Sequence, residues 1–188
     1  VSDTSVYGPS ALATPANFVT VIRLLVAPLL FSLIARNEPS WLVFALWVAL
    51  ASTDGIDGFI ARRQGATRSG AFLDPLADKV LVLGAMFSLV TIGRFPWAPV
   101  LVIAGRELAI SLYRVYWSRR GLAVPARRTA KLKTLTQSLA VGVALIPPLA
   151  DVPWPSLVLL WASVVLALVS AAQYLFDGNR ALTDMQAE

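Results

Sequence analysis

Six stretches of about 20 mainly apolar residues fill almost the whole chain, at roughly 17–36, 41–61, 71–93, 97–117, 130–150 and 154–176. Each has the length a helix needs to cross the hydrocarbon core of a bilayer. A helix there satisfies its own backbone hydrogen bonds, which an open sheet or loop in lipid cannot do. The sequence therefore predicts an all-α integral membrane protein, a bundle of six transmembrane helices. Of the 188 residues 57% are hydrophobic and the mean hydropathy is +0.69, too apolar for a soluble domain of this size. The expected organisation is a polar N-terminal segment at 1–16, one six-span domain at 17–178 and a polar C-terminal tail at 179–188.

Residues 1–16 hold Pro9 and Pro15 and lack the basic start and apolar core of a cleavable signal peptide. Thr14, Pro15 and Asn17 suit the start of a helix. Gly65 and its polar neighbours separate the second span from the third, the Pro125 region separates the fourth from the fifth, and Pro147, Pro148, Pro153 and Pro155 mark the turn before the sixth. Trp41, Trp97 and Trp154 fall at expected outer ends and Trp117 at an inner end, as an interfacial belt requires.

The net charge of +5 is unevenly spread. Arg62, Arg63 and Arg68 lie between spans two and three, and Arg119, Arg120, Arg127, Arg128, Lys131 and Lys133 lie between or just inside spans four and five. The opposite connections offer only Arg36 and Arg94. The positive-inside rule then places the second and fourth connections and both termini in the cytoplasm, giving a multi-pass protein of the cytoplasmic (inner) membrane. Such a charge in a membrane protein points to lipid headgroups and phosphates rather than nucleic acid.

Against this apolar background stand Asp54, Asp57, Asp74 and Asp78, four carboxylates within 25 residues. Each is costly near a bilayer and needs a compensating partner. On a helix, positions 54, 57, 58 and 61 share an arc, as do 74 and 78 on the next helix, so two helices aim two carboxylates each at one point. The chain has no Cys and no His, which removes thiolate chemistry, the usual zinc ligands and the commonest general base. An all-oxygen set suits Mg²⁺ or Mn²⁺. The reading is a polar, metal-containing cavity at the cytoplasmic side. A lone intramembrane Asp can be structural, but four at this spacing, with Gly and Arg between them, favour a site.

The segment Asp54–Asp78 resembles the signature of the CDP-alcohol phosphotransferase family, D-x-x-D-G-x-x-A-R followed by G-x-x-x-D-x-x-x-D. Asp54, Asp57, Gly58, Ala61, Arg62, Gly70, Asp74 and Asp78 supply every fixed position. The gap between Arg62 and Gly70 is one residue shorter than the usual pattern, a change a loop absorbs easily. The resemblance implies a transfer from a CDP-alcohol to a second alcohol with release of CMP. It assigns two ions, Mg²⁺ or Mn²⁺, to Asp54, Asp57, Asp74 and Asp78, and the CDP-lipid to Asp57, Gly58, Ala61, Arg62 and Gly70. Asp78 becomes the base that takes the acceptor's proton, and a homodimer is implied. Gly58 and Ala61 taken alone would more often be helix-packing residues, and only the neighbouring aspartates tip them toward substrate.

The segments TPANFVTVIRLLVAP, GRELAISLYR and AKLKTLTQ, with Lys79 after the last aspartate, resemble the phosphatidylglycerophosphate synthase branch, which joins CDP-diacylglycerol to glycerol 3-phosphate. They place Arg23, Arg106, Arg114, Lys131 and Lys133 toward the cytoplasmic side or within the bundle. A doubly charged acceptor needs a cationic pocket, and Arg106, Arg114, Lys131 and Lys133 are its candidates. Arg106, Glu107 and Arg114 could instead form a structural charge network, and Lys131 and Lys133 could serve topology alone. A cardiolipin synthase using phosphatidylglycerol would share every motif residue. An intramembrane prenyltransferase and a cation transporter are the more distant alternatives.

Overall fold

Ser40 accepts a hydrogen bond from the Leu42 amide at 3.2 Å, capping a helix that begins at Trp41. The computed structural model describes residues 15–36, 40–64, 68–118 and 128–186, with side chains at 18–36, 40–53, 76–116 and 131–176. These residues form α1 (Pro15–Ala35), α2 (Trp41–Gln64), α3 (Arg68–Thr91), α4 (Trp97–Ser118), α5 (Arg128–Leu145) and α6 (Trp154–Gln186), with a 3₁₀ turn at Pro147–Leu149. The all-α expectation holds, and each helix falls on one of the apolar stretches. Residues 1–14 and 119–127 lie outside the described residues.

Two boundaries depart from expectation. α5 ends at Leu145, short of residue 150, because Ile146 precedes Pro147 and takes an extended conformation (φ −69°, ψ 119°). α6 continues to Gln186, ten residues past the apolar stretch.

The turn from α3 to α4 is a Schellman motif. The Gly93 amide donates to the Val90 carbonyl at 3.0 Å and the Arg94 amide to the Leu89 carbonyl at 2.9 Å, with Gly93 at φ +76°. Arg94 then reaches across to donate to the Ala144 carbonyl at 2.7 Å, satisfying one of the free carbonyls in the last turn of α5.

Buried positions on α1 recur at Thr20, Arg23, Ala27, Leu30 and Ile34, a narrow stripe at helical spacing. α3 is the central helix: Ala77, Leu81, Val82, Ala85, Met86, Leu89 and Val90 are all buried. α1 lies tightly on α3 because Gly84 leaves room for the Phe31 ring; a Cβ at Gly84 would stand 2.2 Å from it. Gly142 similarly lets α5 approach Trp47 of α2, where a Cβ would be 3.2 Å from the indole nitrogen.

The surface carries what the core of a soluble protein would hide. Leu25, Leu29, Leu42, Leu108, Leu112, Val158, Val165 and Phe176 are exposed. An apolar shell around a small core is the signature of a helix bundle facing lipid. Phe18–Ala35 and Trp154–Phe176 are long and apolar enough to cross a membrane, and Trp41–Thr53 is a shorter apolar run. Phe87 late in α3 packs on Trp97 at the start of α4, so these two helices run in opposite directions, and polar bonds nearer mid-helix link Arg23 of α1 to Thr53 of α2 and Lys79 of α3 to Ser111 of α4. Trp41, Trp97 and Trp154 begin α2, α4 and α6 and are exposed, so they ring the end opposite these polar groups.

Candidate active site

The last turns of α2 carry Asp54, Asp57, Gly58, Ala61 and Arg62, and the first turns of α3 carry Gly70 and Asp74. The two helices pack against each other, so the backbone brings both halves of the motif to one end of the bundle. The side chains at these seven positions lie outside the described residues. Asp78, one turn beyond Asp74, is described and half-buried.

Asp78 stands in the wall between two cavities. The larger, about 810 Å³, runs between α2, α3 and α5 and is lined mainly by apolar side chains such as Phe44, Trp47, Leu81, Leu135 and Leu139, with Ser52, Lys131, Thr134 and Ser138 as polar members. The smaller, about 150 Å³, lies among α3, α4, α5 and α6 and is lined by Asp78, Lys79, Arg106, Glu107, Arg114, Lys133, Thr134, Gln137 and Tyr174, among others. Helical spacing assembles this second lining: 106, 107, 110 and 114 share one face of α4, and 133, 134 and 137 one face of α5.

The cationic cavity is organised around Glu107. Lys133 donates to its Oε1, Arg106 Nη1 donates to the same oxygen at 3.1 Å, and Lys79 Nζ stands 3.8 Å from Oε2. Glu107 and Lys133 are both buried. Arg106 is further tied to α6, donating from Nε to the Ala167 carbonyl at 3.2 Å and from Nη2 to the Ser170 hydroxyl at 2.6 Å. Lys79 donates to Ser111 Oγ, which in turn donates to the Glu107 carbonyl at 2.6 Å. Arg106, Arg114 and Lys133 thus share one cavity, whereas exposed Lys131 borders the larger, apolar one. The Arg106–Glu107 pairing weighed from the sequence is present, but its further members are Lys133 and Lys79.

Arg23 is fully buried on α1 and donates from Nε to Thr53 Oγ1 at 3.1 Å; that hydroxyl donates to the Leu50 carbonyl at 2.6 Å. This contact fixes α1 against the residue that immediately precedes Asp54. Sequence reasoning gave no role to Gln137 or Tyr174. Gln137 was findable, since it lies four residues after Lys133 and so on the same helix face.

Helices with an apolar exterior, two of them long and apolar enough to cross a membrane, define an all-α protein of the membrane class. More narrowly, the chain belongs to the CDP-alcohol phosphatidyltransferase family, whose model matches residues 13–169. The resemblance read from Asp54–Asp78 is borne out by that match. The chain is 33% identical over 187 residues to a probable phosphatidylglycerophosphate synthase of Mycobacterium tuberculosis, covering 95% of this chain and 86% of the relative. It is 36% identical over 177 residues to the CDP-diacylglycerol–glycerol-3-phosphate 3-phosphatidyltransferase of Escherichia coli K12, covering 89% and 96%. The protein of the same name from Shigella sonnei matches to the same extent.

Proposed function

We propose that this chain is a membrane phosphatidyltransferase that moves the phosphatidyl group of CDP-diacylglycerol to glycerol 3-phosphate, giving phosphatidylglycerophosphate and CMP. The observation that carries the reading is the position of Asp78 in the wall shared by an apolar and a cationic cavity. A lipid donor and an anionic acceptor need such opposite surroundings on either side of the reacting bond. The name of the E. coli relative gives the same donor and acceptor, and that of the M. tuberculosis relative the same product.

In this reading six helices span the cytoplasmic membrane, with the Asp-bearing end facing the cytoplasm and the Trp-ringed end facing out. The acyl chains of the donor lie along the apolar groove between α2 and α5, or extend from it into lipid. The diphosphate meets the end of α2, where Gly58 and Ala61 allow close approach and Arg62 donates charge-assisted hydrogen bonds. Gly70 opens the facing start of α3. Glycerol 3-phosphate enters from the cytosol, and Arg114 and Lys133 hold its phosphate, with Arg106 and Lys131 adding positive charge from the cavity margins.

Asp54, Asp57, Asp74 and Asp78 suit two Mg²⁺ or Mn²⁺ ions: the donor set is all oxygen, and the chain offers no Cys or His. Bound there, the ions would neutralise charge on the attacking and leaving oxygens. Asp78 takes the proton from the acceptor hydroxyl as its oxygen bonds to the phosphatidyl phosphorus. The bond from that phosphorus to the CMP oxygen breaks, and CMP leaves with the electron pair. A homodimer is the expected assembly.

The test is CMP release by purified protein in detergent with CDP-diacylglycerol and Mg²⁺ or Mn²⁺, across glycerol 3-phosphate, phosphatidylglycerol, inositol 1-phosphate and serine. Release stimulated by glycerol 3-phosphate alone is the expected result. Release with phosphatidylglycerol alone would make the chain a cardiolipin synthase, and release with none would defeat the reading.

A further inference from the structure

Three of the cations that line the cationic cavity already have protein partners. Lys133 and Arg106 donate to Glu107, Arg106 also holds Ala167 and Ser170, and Lys79 donates to Ser111. Gln137 differs. Its side chain is buried, with the residue 3% exposed, it lines the cavity, and its Nε2 is the buried side-chain polar atom among the described residues that has no hydrogen-bond partner. A buried amide donor left unpaired is costly, and such exceptions mark places where a ligand completes the site.

The chemistry of the missing partner follows from its neighbours. The charged donors of this cavity suit a phosphate, whereas a neutral carboxamide suits a neutral oxygen. A volume of about 150 Å³ takes a three-carbon polyol but not a glyceryl group carrying acyl chains. Asp78 lines the same cavity and, in the reaction proposed above, takes the proton of the hydroxyl that reacts. The hydroxyl left over on glycerol 3-phosphate is the middle one.

We propose that Gln137 is a specificity residue for the acceptor, its Nε2 donating a hydrogen bond to the unreactive middle hydroxyl of glycerol 3-phosphate. This rests on the acceptor proposed above. A water resting on Nε2 before substrate arrives would be replaced by a hydroxyl of the same hydrogen-bonding capacity. Gln137 thereby separates a glycerol phosphate from a phosphorylated diol of equal length and charge.

The test pairs a residue change with a substrate change. Purified wild type and Gln137→Leu are assayed for CMP release with glycerol 3-phosphate and with 3-hydroxypropyl phosphate, which lacks only the middle hydroxyl. Wild type should favour glycerol 3-phosphate by roughly tenfold in KM, the scale of one substrate hydrogen bond. Gln137→Leu should treat the two acceptors alike, with KM for CDP-diacylglycerol within about twofold of wild type. Its thermal midpoint should not fall, because the change removes an unpaired donor rather than a made bond. If the leucine variant does not fold, Gln137→Met keeps an unbranched side chain and answers the same question. A variant that keeps the wild-type preference overturns the assignment while leaving the proposed acceptor intact. Wild type inert toward glycerol 3-phosphate would instead defeat the acceptor itself, and the Gln137 assignment with it.

Discussion

Lys133 of α5 donates to Glu107 of α4 inside the bundle, and the same carboxylate also accepts from Arg106 and faces Lys79. One buried anion therefore holds three cations from three helices. Removing either member of a buried pair costs about 3 kcal/mol or more, since the other charge is left unpaired. Here the two losses are unequal. Without Lys133, Glu107 keeps Arg106 and Lys79; without Glu107, three cations face one another. Glu107→Gln is expected to lower the thermal midpoint in detergent more than Lys133→Met does. The opposite order would mean that the pair, rather than the cluster, governs stability.

Asp78→Asn keeps the size and polarity of the side chain but cannot accept a proton at neutral pH. Turnover should fall by roughly 10³-fold, the range for a lost general base, while CDP-diacylglycerol binding is largely kept. Near-normal turnover would defeat the base assignment. Asp54→Asn and Asp74→Asn should shift the Mg²⁺ titration of activity to higher concentration, because each removes a proposed ligand from the ion pair. Unchanged titration curves would count against that role.

Arg106 and Arg114 lie on one face of α4, yet their surroundings predict different failures. Arg106 donates to Glu107, Ala167 and Ser170, so Arg106→Gln should loosen the contact between α4 and α6 and lower the thermal midpoint. Arg114 is exposed and borders the cationic cavity. Arg114→Gln should leave the midpoint nearly unchanged and raise KM for glycerol 3-phosphate by roughly tenfold or more, the scale of a charged hydrogen bond. Steady-state kinetics and thermal melts on the two variants check the split; matching profiles would remove the distinction.

The helices were legible because apolar runs near 20 residues leave the backbone one way to satisfy itself, and Gly and Pro punctuate them. The end of α5 is hidden in the sequence because Ile146 is apolar and reads as span, whereas Pro147 constrains its backbone. The aspartate motif was legible as spacing on two consecutive helices. The Glu107 cluster was less so: Lys79, Arg106 and Lys133 come from three helices, and no local period shows which cations converge on one anion. The orphan donor of Gln137 was invisible for the same reason, since a missing partner is a property of packing.

Close packing of α1 on α3 makes the last prediction. Gly84 lies under the Phe31 ring, and a Cβ there would stand 2.2 Å from it, closer than any side chain tolerates. Gly84→Ala must push the ring aside or part the helices, an overpacking cost of about 1–3 kcal/mol that outweighs alanine's better helix propensity. Phe31→Leu alone should also destabilise, by shrinking a contact with the core. Together the two changes should be less harmful than their separate effects added, because the smaller side chain makes room for the methyl group. Thermal melts of the four proteins measure the coupling. Strict additivity would show that the ring moves freely and that α1 is not seated by this contact.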